Sequence, residues 1–123
     1  MVIFDTNAIL RYILQDNQSM ADEVEQKLFD EICIIPIEVV AEIVYVLSGF
    51  YNLKRDLIAQ TLLELADEIN IIVVQKKVVL HALQVYASTT FDFVDCLLIG
   101  YAKEDKYEIF TFDKKLNKFL INL

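Results

Sequence analysis

The chain has 123 residues, 56% hydrophobic and 24% charged, with two glycines, one proline and a formal charge of −8. That length and apolar content suit one domain around one core and exclude a disordered chain. The acidic balance disfavours general affinity for nucleic acid, so a nucleic-acid role needs metal ions, a local basic patch or a basic partner.

The first residues, Met1-Val2-Ile3-Phe4-Asp5-Thr6-Asn7, form an apolar run of strand type that stops on an acid. A helical pattern runs on to about Leu14, so Asp5 stands at the carboxyl end of a strand, the edge where open α/β sheets bind ligands. An N-cap role is the plain alternative for Asp5. An amphipathic helix follows over Met20–Phe29, then a short apolar strand, Ile32–Ile35, closed by Pro36. Helices are predicted from about Glu38 to Ser48 and from Arg55 to about Asp67, with a third strand at Ile71–Val74. A helix around Val78–Tyr86 and another from Phe93 to about Ala102 come next. Glu108–Phe112 is predicted as a fourth strand, Asp113–Asn117 as a helical turn and Phe119–Asn122 as a last strand. Strands alternate with helices and are continuously apolar, which predicts a parallel sheet covered on both faces in a single domain over 1–123.

Five acids differ from ordinary surface charge. Glu42 stands alone in Val39–Leu47, a helix apolar on nearly all sides, and is expected to be buried. A buried carboxylate must be paired, protonated or bound to a cation. Asp95 lies within Phe93–Ile99, at the N3 position if Asp92 is the N-cap, so helix-end electrostatics account for Asp95 as readily as a site does, and Asp92 is better explained as the cap than as a site residue. Asp113 repeats the Asp5 arrangement of apolar strand, acid and helix start. If the first and fourth strands are neighbours, Asp5, Glu42, Asp95 and Asp113 can reach one pocket at the carboxyl edge of the sheet. Gathered carboxylates repel, and a hard divalent cation such as Mg²⁺ or Mn²⁺ removes the conflict. The only histidine, His81, reads as structural, and Cys33 and Cys96 as small core residues. No apolar run reaches the length of a membrane span and the N-terminus lacks a secretion signal, so a cytoplasmic protein is expected.

Phe4-Asp5-Thr6-Asn7, Glu42 within Val40–Leu47, Asp92-Phe93-Val94-Asp95 and Thr111-Phe112-Asp113-Lys114 occur in that order along the chain. Together they resemble the PIN-domain nuclease family, and within it the small VapC-type toxins of bacterial and archaeal toxin–antitoxin pairs. The resemblance implies a three-layer α/β/α fold with a five-stranded parallel sheet in the order 3-2-1-4-5. It implies Mg²⁺ or Mn²⁺ held by Asp5, Glu42, Asp95 and Asp113, with Thr6, Asn7 and Thr111 in support. It implies an endoribonuclease that hydrolyses RNA to 5′-phosphate and 3′-hydroxyl ends, a homodimer, and a cognate antitoxin protein. The rival readings are a PIN-like nuclease of RNA processing outside any toxin pair and a non-catalytic PIN-like binding module. A phosphatase or phosphoaspartyl receiver also places an acid after its first strand. The former usually wants a second acid where Asn7 stands, and the latter an acidic pair that is absent here.

Overall fold

The computed structural model describes residues 1–123. Three strands, β1 (Val2–Ile3), β2 (Cys33–Ile35) and β3 (Ile71–Val73), form a parallel sheet in the order β1-β2-β3. The register aligns Val2 with Cys33 and Ile71, and Ile3 with Ile34 and Ile72. Seven helices fill the intervals: α1 (Thr6–Leu14), α2 (Gln18–Asp30), α3 (Ile37–Gly49), α4 (Arg55–Ala66), α5 (Lys76–Ser88), α6 (Phe93–Asp105) and α7 (Lys114–Ile121).

Period-two alternation in the strands decides which side chains enter the core. Phe4, Cys33, Ile35, Ile71 and Val73 are buried and join a single apolar cluster with the inner faces of the helices. The other face carries the aligned row Ile3, Ile34 and Ile72, and there Ile3 is 67% exposed and Ile72 43% exposed. The expectation of a sheet covered on both faces is therefore not met.

Helices α5 and α6 pack closely. Gly100 makes this approach possible, because a Cβ there would lie 2.6 Å from the carbonyl oxygen of Val78. His81 meets Glu104 across the same interface at 3.5 Å, in keeping with a structural role. Both cysteines are free and buried, with their thiols pushed up to about 11 mainly by burial.

The carboxyl-terminal end departs from the expected sheet. No fourth strand forms at 108–112: no backbone–backbone hydrogen bond ties this segment to the sheet, and Phe110 and Phe112 are 86% and 90% exposed. Their rings meet only each other, edge to face at 5.4 Å. No fifth strand forms either, because Phe119-Leu120-Ile121 is the last turn of α7. Leu116, Phe119 and Leu120 recur at helical spacing and turn one face of α7 toward the core. A three-residue apolar run has no period of its own; only together with Leu116, the third residue of α7, does it show helical spacing, so the expected turn at Asp113–Asn117 continues as one helix to Ile121.

Candidate active site

Asp5 and Asp113 are built alike. Each is an N-cap in extended backbone: Ala8 N donates to Asp5 Oδ1 at 2.9 Å, and Leu116 N donates to Asp113 Oδ1 at 2.8 Å. The capping role anticipated for both is real, and it occupies one oxygen of each, leaving Oδ2 without a hydrogen bond. Thr111 shapes the second turn, because its Oγ1 accepts from Asp113 N at 3.1 Å and its carbonyl accepts from Asn117 Nδ2 at 2.9 Å. Thr6 is buried at the first turn of α1, and Asn7 is exposed beside Asp5 in a cleft of about 560 Å³ between β1, α1 and α2.

Asp92 and Asp95 differ from that pair. Asp92 occupies the N-cap position of α6, and its carbonyl accepts from Cys96 N, yet its carboxylate makes no capping bond. Asp95 lies in the first helical turn, half-buried. Its carboxyl is raised above the ordinary range, chiefly by burial, then by the nearby charges of Asp92 and Asp113. The structure thus brings Asp92, Asp95 and Asp113 within one another's fields across the α6–α7 contact.

Glu42 corrects the reading from sequence. It sits on α3, after β2, but its side chain is exposed rather than buried. The apolar stretch around it turns Val40, Ile43, Val44 and Leu47 inward and leaves Glu42 and Tyr45 on the solvent side. Burial cost therefore does not compel a cation at Glu42. Its candidacy rests on its position, since α3 packs against both α1 and α6, the helices that carry Asp5 and Asp95 at their starts.

None of these five acids is ion-paired; the salt bridges join Arg11 to Asp16, Lys27 to Glu31 and His81 to Glu104. The buried ion pair that could have explained Asp95 is absent. No three His, Cys, Asp or Glu side chains stand close enough as oriented to form a ready metal cluster. The donor set fits a hard divalent cation by chemistry, because it is made wholly of carboxylates with free oxygens and no competing cation.

Sequence reasoning missed Arg55. Its Nε donates to the Tyr86 carbonyl at 2.8 Å, and its Nη2 donates to the Phe91 carbonyl at 2.5 Å. Its guanidinium stacks 3.7 Å from the Tyr86 ring centroid. Arg55 thereby ties the start of α4 to the connector that delivers Asp92. The only sign in the sequence was a basic residue at a helix start, which describes many solvated arginines equally well.

A parallel α/β domain with unpaired acids at the starts of α1, α6 and α7, the first of them just after a strand, is compatible with nuclease-type architecture. The chain belongs to the PIN domain family, whose profile matches residues 2–120. PIN domains are generally nucleases and generally use divalent metal ions. No curated protein and no solved structure matches the chain. No helix is long and apolar enough to cross a membrane.

Proposed function

We propose that this single-domain chain is a Mg²⁺- or Mn²⁺-dependent endoribonuclease and the toxin of a type II toxin–antitoxin pair, acting in the cytoplasm. The observation that carries the nuclease reading is the half-buried Asp95 carboxyl, in the field of Asp92 and Asp113, with none of the three in an ion pair. Asp5, Glu42, Asp95 and Asp113 would hold the metal, and Asp92, Thr6, Asn7 and Thr111 would support them. A bound divalent cation supplies positive charge for the phosphate oxygens and lowers the pKa of water. The chain's part is positional. The capping bonds of Asp5 and Asp113 fix one oxygen of each and leave the second without a hydrogen bond, and Thr111 holds the turn that carries Asp113. Hydrolysis in line with the leaving 3′-oxygen would give 5′-phosphate and 3′-hydroxyl ends.

The toxin role and the RNA preference rest on the motif resemblance, which also supports a basic antitoxin tail reaching the unpaired acids. A homodimer would cover Tyr45 and Leu57, which remain exposed on α3 and α4, whereas Leu62 is already buried within the chain. The competing reading is a non-catalytic PIN-like module, favoured by the lack of a ready three-acid cluster.

Thermal melts of wild type and Asp95→Asn, in EDTA and in Mg²⁺ at matched ionic strength, separate the two. Asp95 feels burial and two like charges, so removing its charge should leave the metal-free protein at least as stable. Wild type should gain about 1.4 kcal/mol from roughly 10 mM Mg²⁺ if the dissociation constant is about 1 mM. The variant should gain less. Equal gains in both proteins, with no Mg²⁺-dependent RNA cleavage by wild type, would leave only the binding module.

A further inference from the structure

The chain carries eight excess negative charges, yet α7 reads Lys114-Lys115-Leu116-Asn117-Lys118 and contains no acid. None of these three lysines is ion-paired. Lys115 and Lys118, one turn apart on a helix and so on one face, line a cleft of about 550 Å³. The cleft's other wall is the α5–α6 connector, Thr89, Thr90 and Phe91, with Phe119 completing an aromatic side. Lys115 Nζ donates to Thr90 Oγ1 at 2.6 Å and lies 5.0 Å from the Phe91 ring centroid.

The two chain segments that form this cleft are the two that deliver Asp92, Asp95 and Asp113. Phe91 precedes Asp92, and Lys115 follows Asp113 by two residues. A strand bound at Asp92 and Asp113 would pass onto the residues that line this cleft, because each wall is continuous in sequence with one of these acids. Ammonium groups at the rim and aromatic rings on the wall are what a single strand needs, because cations track the backbone and rings receive bases or sugars. The volume is large enough for nucleotide-sized groups.

We infer that the Lys115–Lys118 cleft is the strand-holding subsite for single-stranded RNA, binding backbone phosphates next to the bond to be cut. The inference rests on the ribonuclease reading for the identity of the strand. It also answers the difficulty posed by the net charge: the acidic chain concentrates unpaired cations on one helix beside its acids.

The test is fluorescence anisotropy of a labelled single-stranded RNA of mixed sequence, in EDTA, over a series of KCl concentrations. Each lost phosphate contact lowers the slope of log affinity against log salt by about 0.7 for a single strand. Lys115→Gln/Lys118→Gln should therefore flatten the slope by about 1.4 and weaken binding about tenfold at low salt. Lys76→Gln/Lys77→Gln removes the same charge at the opposite end of α5, about 18 Å from the connector by helix length, and should leave the slope unchanged. Lys118→Gln alone, which disturbs no hydrogen bond of its side chain, should show half the effect. Equal slopes for wild type and the α7 variants, equal losses in both double variants, or no binding by wild type would overturn the subsite. Cleavage of the same RNA with Mg²⁺ is read separately. Wild type that cleaves while the α7 variants bind normally removes only the subsite, and protein that binds through α7 without cleaving removes only the nuclease reading.

Discussion

The segments Val2–Ala8 and Ile109–Leu116 are two copies of one local design. Each runs from apolar residues to an aspartate and then into a helix whose third residue donates to that aspartate. Only the first copy is in the sheet. Val2 N and Phe4 N donate to the carbonyls of Ile32 and Ile34 at 2.9 and 3.2 Å, while the residues from 108 to 112 make no backbone–backbone bond. The difference lies in what stands beside each run. Phe4 turns into the core, whereas Phe110 and Phe112 both face outward. Capping needs only four consecutive residues, but joining a sheet needs a partner strand at the right distance and register.

Amide hydrogen exchange tests that contrast at its largest. The amides of Phe110 and Phe112 should exchange close to the unfolded rate, and those of Val2 and Phe4 slower by on the order of 10³-fold or more if they open only with the whole fold. Comparable protection in both copies would mean that 108–112 pairs with β1 in solution and that the sheet has its fourth strand.

Substitutions at the two aspartates separate the cap from the chemistry. Asparagine caps a helix about as well as aspartate, so Asp5→Asn and Asp113→Asn should melt near wild type. Each should lower Mg²⁺-dependent RNA cleavage at least about 100-fold, about 2.7 kcal/mol in the barrier. Asp5→Ala and Asp113→Ala should lose the cap as well, at about 1 kcal/mol each. Full cleavage by Asp113→Asn alongside loss in Asp5→Asn would reduce the second copy to a helix cap.

The smallest effect concerns how the first copy is anchored. Tyr12, on α1, donates its hydroxyl to Glu68 at 2.6 Å, a long-range tie between α1 and the residues that follow α4. Its phenol is pushed up from 10.0 to about 12, first by burial and then by the hydrogen bond to Glu68. The folded state therefore favours the protonated phenol. Its contribution is complete below pH 10 and declines as pH rises toward 12. Tyr12→Phe should be less stable than wild type by about 0.5–1.5 kcal/mol at pH 8, and the gap should narrow between pH 10 and 12. A gap that stays constant across that range would show that the hydroxyl bond contributes nothing to anchoring α1.

Much of the fold was legible because its signals are local. The helices over residues 6–105 follow apolar periodicity, and the three formed strands are short apolar runs bounded by turn residues. The caps at Asp5 and Asp113 were equally legible, since residue type and position define them. Glu42 was not. Its apolar neighbours suggested burial, but a helix with four inward residues still has a solvent side, and only packing shows which side that is.

The sequence alone therefore determined the order of elements as far as α6, the positions of the acids and their carboxylate chemistry, because propensity, capping and charge act over a few residues. Tertiary structure decided what depends on neighbours distant in sequence. It set Asp95 beside Asp92 and Asp113, left Glu42 exposed, and clamped the α5–α6 connector with Arg55. It also opposed Lys115 and Lys118 to Thr89 and Thr90. It left 108–112 outside the sheet, because a strand gains its hydrogen bonds only from another strand, and no stretch of sequence contains its own partner.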